Sequence, residues 1–160
     1  MQQLEGDFKM YQTIESISDS ELQEEYVKRF TKQHGEQLRS ARESADHLRS
    51  IFADYPADQE HFAVVYLDGQ NKIIKTEVVA TGTVNTAAIY PREIIKKVLE
   101  CESVSIMISH THPSGSVMSS ASDRAVTKKL QTALASIDVD LLDHIIIGDG
   151  FFSFSDQGLL

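Results

Sequence analysis

Three side chains of the kind that hold divalent metals stand close together late in the chain: His110, His112 and Asp123. Residues two apart in a β-strand project to the same side. His110 and His112 follow the apolar run Val104 to Ser109, so they can aim two imidazoles at one point. Pro113 and Gly115 then turn the chain away from the sheet. A helix starting near Ser119 or Ser120 carries Asp123 in its first turn, facing back towards the histidines. Two neutral nitrogens and one carboxylate oxygen suit a single zinc ion per chain and leave a fourth position for water.

Hydrolysis is the chemistry such a centre performs. Zinc lowers the pKa of its bound water to around 7 and polarises a carbonyl under attack. A carboxylate must also take the water's proton and return it to the leaving group, and a donor must meet the developing oxyanion. Ser120 can be that donor. Glu60, at the entry to the strand Phe62 to Leu67, is the first candidate for the carboxylate, with Glu77 on the neighbouring strand as the reserve. A lone His-x-His pair is a weak signal, and Ser120 with Asp123 also reads as a helix cap and an acidic first turn. Both readings hold together. The full spacing, His-x-His-x7-Ser-x2-Asp after a buried strand, is far more specific.

The elements that must position these residues can be read from periodicity. Residues 1–17 are weakly patterned. A helix is predicted from Ser18-Asp19-Ser20, with Leu22, Tyr26, Val27 and Phe30 on one side, until His34-Gly35 breaks it. A second helix carries Leu38, Ala41, Ala45, Leu48 and Phe52 at steps of three and four. That stripe fits the rest of the protein or another subunit, so a homodimer is among the arrangements it allows. From about residue 58 the pattern changes. A hairpin joins Phe62–Leu67 to Lys72–Ala80 through Asp68-Gly69-Gln70-Asn71, and Thr81-Gly82-Thr83 leads into a polar loop. Pro91 opens a helix with Ile94, Ile95, Val98 and Leu99 inside. After the histidines, Val126, Leu130, Ala133, Leu134 and Ile137 mark another helix, and strands follow over Leu141–Ile147 and Phe151–Phe154. The expected class is α/β (α+β): a helical extension over 1–57, then a mixed sheet flanked by helices over 58–160.

Composition sets further bounds. The chain has 160 residues, 41% of them hydrophobic and 24% charged, enough to bury a core without disulfides. The single cysteine, Cys101, ends an apolar helical pattern and is expected to be a buried thiol. No apolar run approaches a membrane span, and the first residues lack the layout of a signal peptide, so a cytoplasmic location is expected. A net charge of −9 with no dense basic run gives nucleic-acid binding no support. Lys96-Lys97 and Lys128-Lys129 read as solvated helix faces.

The wider text resembles a known family. His110, His112, Ser120 and Asp123 have the spacing of the JAMM motif of JAB/MPN-domain metalloproteins. Tyr90-Pro91-Arg92-Glu93, His112-Pro113-Ser114-Gly115, Leu142-Asp143-His144-Ile145-Ile146-Ile147-Gly148 and the Phe-Ser-Phe ending resemble the RadC branch, over about Glu60 to Leu160. The resemblance implies a JAB/MPN-like mixed sheet, zinc held by the two histidines and the aspartate, Glu60 acting through the water, and Ser120 supporting the oxyanion. Relatives outside the RadC branch include isopeptidases, so the resemblance implies a peptide or isopeptide substrate. Two departures stand out. RadC-type sequences usually have Asn between the histidines, where this chain has Thr111. Residues 1–57 show no Gly-hydrophobic-Gly turn of a helix-hairpin-helix, which points to a short form of the family. The competing expectations are a DNA repair or nucleic-acid-processing accessory and a non-catalytic module stabilised by its metal. Asp143 and His144 are expected to be structural, His144 bonded within the fold rather than a further ligand. His61 is expected to be a partly exposed neighbour on the face opposite Glu60, and His34 and His47 have no assigned role.

Overall fold

A computed structural model describes residues 16–82 and 88–160. Residues 1–15 of the weakly patterned start, and Thr83 with most of the polar loop after it, lie outside the described residues. The described elements run α1 (Asp19–Phe30), α2 (Ala41–Phe52), β1 (Glu60–Leu67), β2 (Ile73–Gly82), α3 (Pro91–Glu100), β3 (Ser105–Thr111), α4 (Ala121–Ala135), β4 (Asp140–Ile147) and β5 (Phe151–Ser153). The strands form one sheet in the order β2-β1-β3-β4-β5. Among the described strands only the β3–β4 pair is parallel, as its helical crossover requires. This is the mixed sheet flanked by helices that the sequence predicts.

Strand alternation gives the sheet two apolar faces. Phe62, Val64 and Tyr66 of β1 and Ile106 and Ile108 of β3 pack with Ile94 and Val98 of α3 and Val126, Leu130 and Leu134 of α4. Ala63, Val65 and Leu67 of β1, with Ile145 and Ile147 of β4, pack against Ala45, Leu48 and Phe52 of α2. Burying each large side chain of that α2 stripe contributes about 1.5–3 kcal/mol. Of the two partners the stripe allowed, it meets the sheet of its own chain.

Several local expectations need correction. Leu38 is buried but precedes α2, because Ser40 takes the N-cap position and accepts a hydrogen bond from Glu43 N. The backbone just before it instead bridges to the hairpin, Gln37 opposite Lys72. α1 starts at its predicted cap, yet none of its residues is buried. It lies on α2 through polar contacts such as Thr31 Oγ1 to Ser50 Oγ at 2.8 Å and Gln23 Nε2 to Ala53 O at 2.8 Å. Cys101 is only partly buried, since it caps the end of α3. His61 is buried outright, its ring held between Thr81 Oγ1 at 3.0 Å and the Pro56 carbonyl at 2.7 Å. Among the described residues no helix is long and apolar enough to cross a membrane.

Candidate metal centre

The parallel β3–α4–β4 crossover explains why ligands from two elements meet. A helix that returns the chain to the start of a parallel strand begins above the end of the strand before it. His110 is the penultimate residue of β3, His112 follows the strand, and Asp123 sits in the first turn of α4. His112 is pinned by its own backbone, with its N–H donated to Ile147 O at 2.8 Å and its carbonyl accepting from Gly115 N at 3.0 Å. Gly115 has φ of +81°, a conformation that favours glycine. A Cβ there would also lie 2.6 Å from Asp149 Oδ1, so the Pro-Ser-Gly turn admits no larger residue without strain.

His110, His112 and Asp123 converge, their ligand atoms all within 4.8 Å of one another. His110 Nε2 lies 2.8 Å from His112 Nε2 and 3.1 Å from Asp123 Oδ1. Ligands at about 2.0–2.1 Å around a tetrahedral ion sit ~3.3 Å apart, so a small outward adjustment admits zinc. The donors suit a cation for a second reason. His112 Nδ1 faces Ser116 O at 2.9 Å, and a carbonyl only accepts, so Nδ1 carries the proton. The Nε2 lone pair of His112 is thereby turned towards another imidazole nitrogen and a carboxylate. Such a trio suits a positive charge at its centre, a metal ion or, without one, a proton on His110.

The Asp123 carboxylate is prearranged by the helix start. Its Oδ2 accepts from Ser120 N at 2.7 Å, while its N–H donates to Ser120 Oγ at 3.0 Å, a reciprocal capping box. Burial works to raise the Asp123 pKa. In the metal-free protein a hydrogen bond from a protonated His110, the Ser120 amide and the His110 charge outweigh it and hold the carboxyl well below the usual carboxylate range. The site is closed at its base and opens beside His112: side-chain exposure is 4% for His110 and 15% for His112. A groove of about 460 Å³ adjoins His112 and Thr111, walled by Phe52, Tyr55, Pro113 and Asp149.

The carboxylate candidates separate. Phe62 lies opposite His110 at the end of the β1–β3 ladder, and Glu60 is two residues further along β1 towards the same end of the sheet. Glu60 also shares the strand face of Phe62, the face on which His110 projects. Glu77 lies opposite Val64 and pairs with Lys75 at 3.2 Å. That is four residues along β1 from Glu60, about 13 Å at a strand's rise. Ser120 stands exposed at the N-cap, three residues before Asp123.

His144, in β4 next to β3, is fully buried behind His110, with Nε2 2.8 Å from His110 Nδ1. It is thus bonded within the fold, as expected. Burial, with the nearby His110 charge, pushes its pKa well below that of an ordinary histidine. Asp143 is a structural acceptor, taking hydrogen bonds from His144 N, Ser153 Oγ and Ser155 N. Sequence reasoning passed over Thr127, whose Oγ1 lies 2.6 Å from His144 Nδ1 and 2.6 Å from Asp123 O. Its one signal was the four-residue step from Asp123, which lets a helical Thr hydroxyl reach back to the carbonyl one turn earlier.

Known proteins share this arrangement of sequence. A family profile described as RadC-like JAB domain matches residues 38–159, from just before α2 to the end of the fold. A UPF0758 protein of Photobacterium profundum is 39% identical over 154 residues, covering 96% of this chain and 65% of the relative. A UPF0758 protein of Actinobacillus pleuropneumoniae serotype 5b is 46% identical over 101 residues, 62% of this chain and 46% of the relative. Another, of Vibrio atlanticus, is 39% identical over 129 residues, 80% of this chain and 57% of the relative. The chain therefore spans about half to two thirds of the length of these relatives. With the sheet, the crossover and the His-His-Asp cluster all in place, the chain belongs to the RadC-like JAB-domain family.

Proposed function

We propose that the chain is a zinc-dependent hydrolase of JAMM type that cleaves a peptide or isopeptide bond. The observation that carries this reading is the convergence of ligand atoms of His110, His112 and Asp123 on one point where β3 ends and α4 begins. Membership of the JAB-domain family, which includes hydrolases, supports it.

Zinc bound there would acidify a water molecule and polarise the carbonyl under attack. The protein's own groups do the rest. Glu60, two residues beyond the Phe62–His110 pair, takes the proton from the attacking water and passes it to the leaving amine. Ser120 Oγ already accepts from Asp123 N, so its hydroxyl proton remains to donate to the oxyanion.

The test is Glu60→Gln in zinc-loaded protein, screened on peptide, isopeptide and nucleic-acid substrates. The variant is expected to retain its zinc and lose amide hydrolysis by about 100-fold or more. Unchanged turnover would remove Glu60 from the chemistry. Cleavage confined to nucleic acid would overturn the amide substrate.

A further inference from the structure

His110 does not stand alone against its metal. Its Nδ1 lies 2.8 Å from His144 Nε2, His144 Nδ1 lies 2.6 Å from Thr127 Oγ1, and Thr127 Oγ1 lies 2.6 Å from Asp123 O. This chain of contacts is buried, with His144 at 0% exposure and Thr127 at 3%. Its direction follows from its last member. A backbone carbonyl can only accept, so the Thr127 hydroxyl donates to Asp123 O. The Thr127 oxygen is then left to accept from His144 Nδ1–H. A neutral imidazole has one N–H, so His144 Nε2 must accept, and the donor facing it is His110 Nδ1–H. In the neutral ring that binds a metal, His110 Nε2 is thereby left without a proton, pointing at His112 Nε2 and Asp123 Oδ1. The reverse direction would set two oxygens, Thr127 Oγ1 and Asp123 O, against each other at 2.6 Å with no proton between them.

We propose that Thr127 and His144 are positioning residues that fix the tautomer of His110, so that its Nε2 lone pair is presented to the metal. The circuit begins and ends on Asp123, whose carbonyl sets its direction and whose carboxylate is a ligand. It ties both protein elements of the site, β3 and α4, through β4. The inference rests on the reading of His110, His112 and Asp123 as a metal site.

The experiment combines two-bond ¹H–¹⁵N correlation of imidazole-labelled protein, which reports each tautomer, with a zinc titration against a chromophoric chelator. In the zinc-loaded wild type, His144 is expected as the Nδ1–H tautomer. Thr127→Val should shift His144 towards Nε2–H and weaken zinc binding about 10- to 100-fold, the usual effect of losing an outer hydrogen bond. Thr127→Ser should restore both. A wild-type His144 protonated at Nε2 while zinc binds would overturn the relay alone. So would a Thr127→Val protein with unchanged zinc affinity. Protein that shows the expected tautomer yet takes up no zinc would instead overturn the metal-centre reading, and with it the purpose assigned to these residues.

Discussion

Ser120 and Asp123 exchange hydrogen bonds across the first turn of α4, at 3.0 Å for Asp123 N to Ser120 Oγ and 2.7 Å for Ser120 N to Asp123 Oδ2. Because Oδ2 is engaged by the cap, Oδ1 is the atom left facing His110 Nε2. The same carboxylate starts a helix and offers a ligand.

Loss of the cap should therefore register as stability before it registers as metal binding. Ser120→Ala is expected to cost about 1 kcal/mol in urea unfolding of the metal-free protein. Zinc affinity should fall far less than in Asp123→Ala, since the Ser120 amide still orients Oδ2. Ser120→Thr should recover the stability. Equal zinc loss in the Ser120→Ala and Asp123→Ala proteins would show that the two roles are not separable.

Gly115 makes the sharpest steric prediction. An alanine there meets Asp149 Oδ1 at 2.6 Å and must hold φ of +81°. The Gly115→Ala variant should lose about 1–3 kcal/mol of stability. Adding Asp149→Ala relieves the contact but not the backbone strain, so it should restore only part of the loss. Full recovery in the double variant would mean that the φ angle carries no cost here.

The site was more legible in the sequence than its support. Two histidines at strand spacing and an aspartate one turn into a capped helix are local patterns, and local patterns survive folding. Glu60 and Glu77 could not be ranked by position from the strand pattern alone, since the distance of Glu77 from the histidine end of the sheet emerges only with the β1–β2 register. His61 was misjudged because its burial depends on Pro56 and Thr81, which fold against it from two different segments. Thr127 was missed for the same reason: a mid-helix threonine signals nothing until β4 brings His144 beneath it. Nor could the α2 stripe name its partner, since an apolar face is satisfied equally by any apolar surface.

His47, on the α2 side of the sheet and away from the metal site, predicts a pH dependence. Burial pushes its pKa from the ordinary 6.5 down to about 4. Its Nδ1 accepts from Lys32 N at 3.0 Å, which leaves no room for a proton there. Above the unfolded value neither state binds the proton. Between 6.5 and about 4 the unfolded chain takes up a proton that the folded protein refuses. Stability should then fall as pH drops through that window, by at most about 1.4 kcal/mol per unit, and level off below it. Urea midpoints measured from pH 7 to 4 should slope less steeply in His47→Gln. Parallel slopes in the two proteins would remove His47 as the source.

The most direct measurement is zinc stoichiometry and affinity after chelation and reloading, for the wild type beside His112→Ala and Asp123→Ala. A centre built by His110, His112 and Asp123 predicts about one tightly held zinc per chain, lost in both variants while the fold persists. Wild-type protein that binds zinc no better than either variant would contradict it.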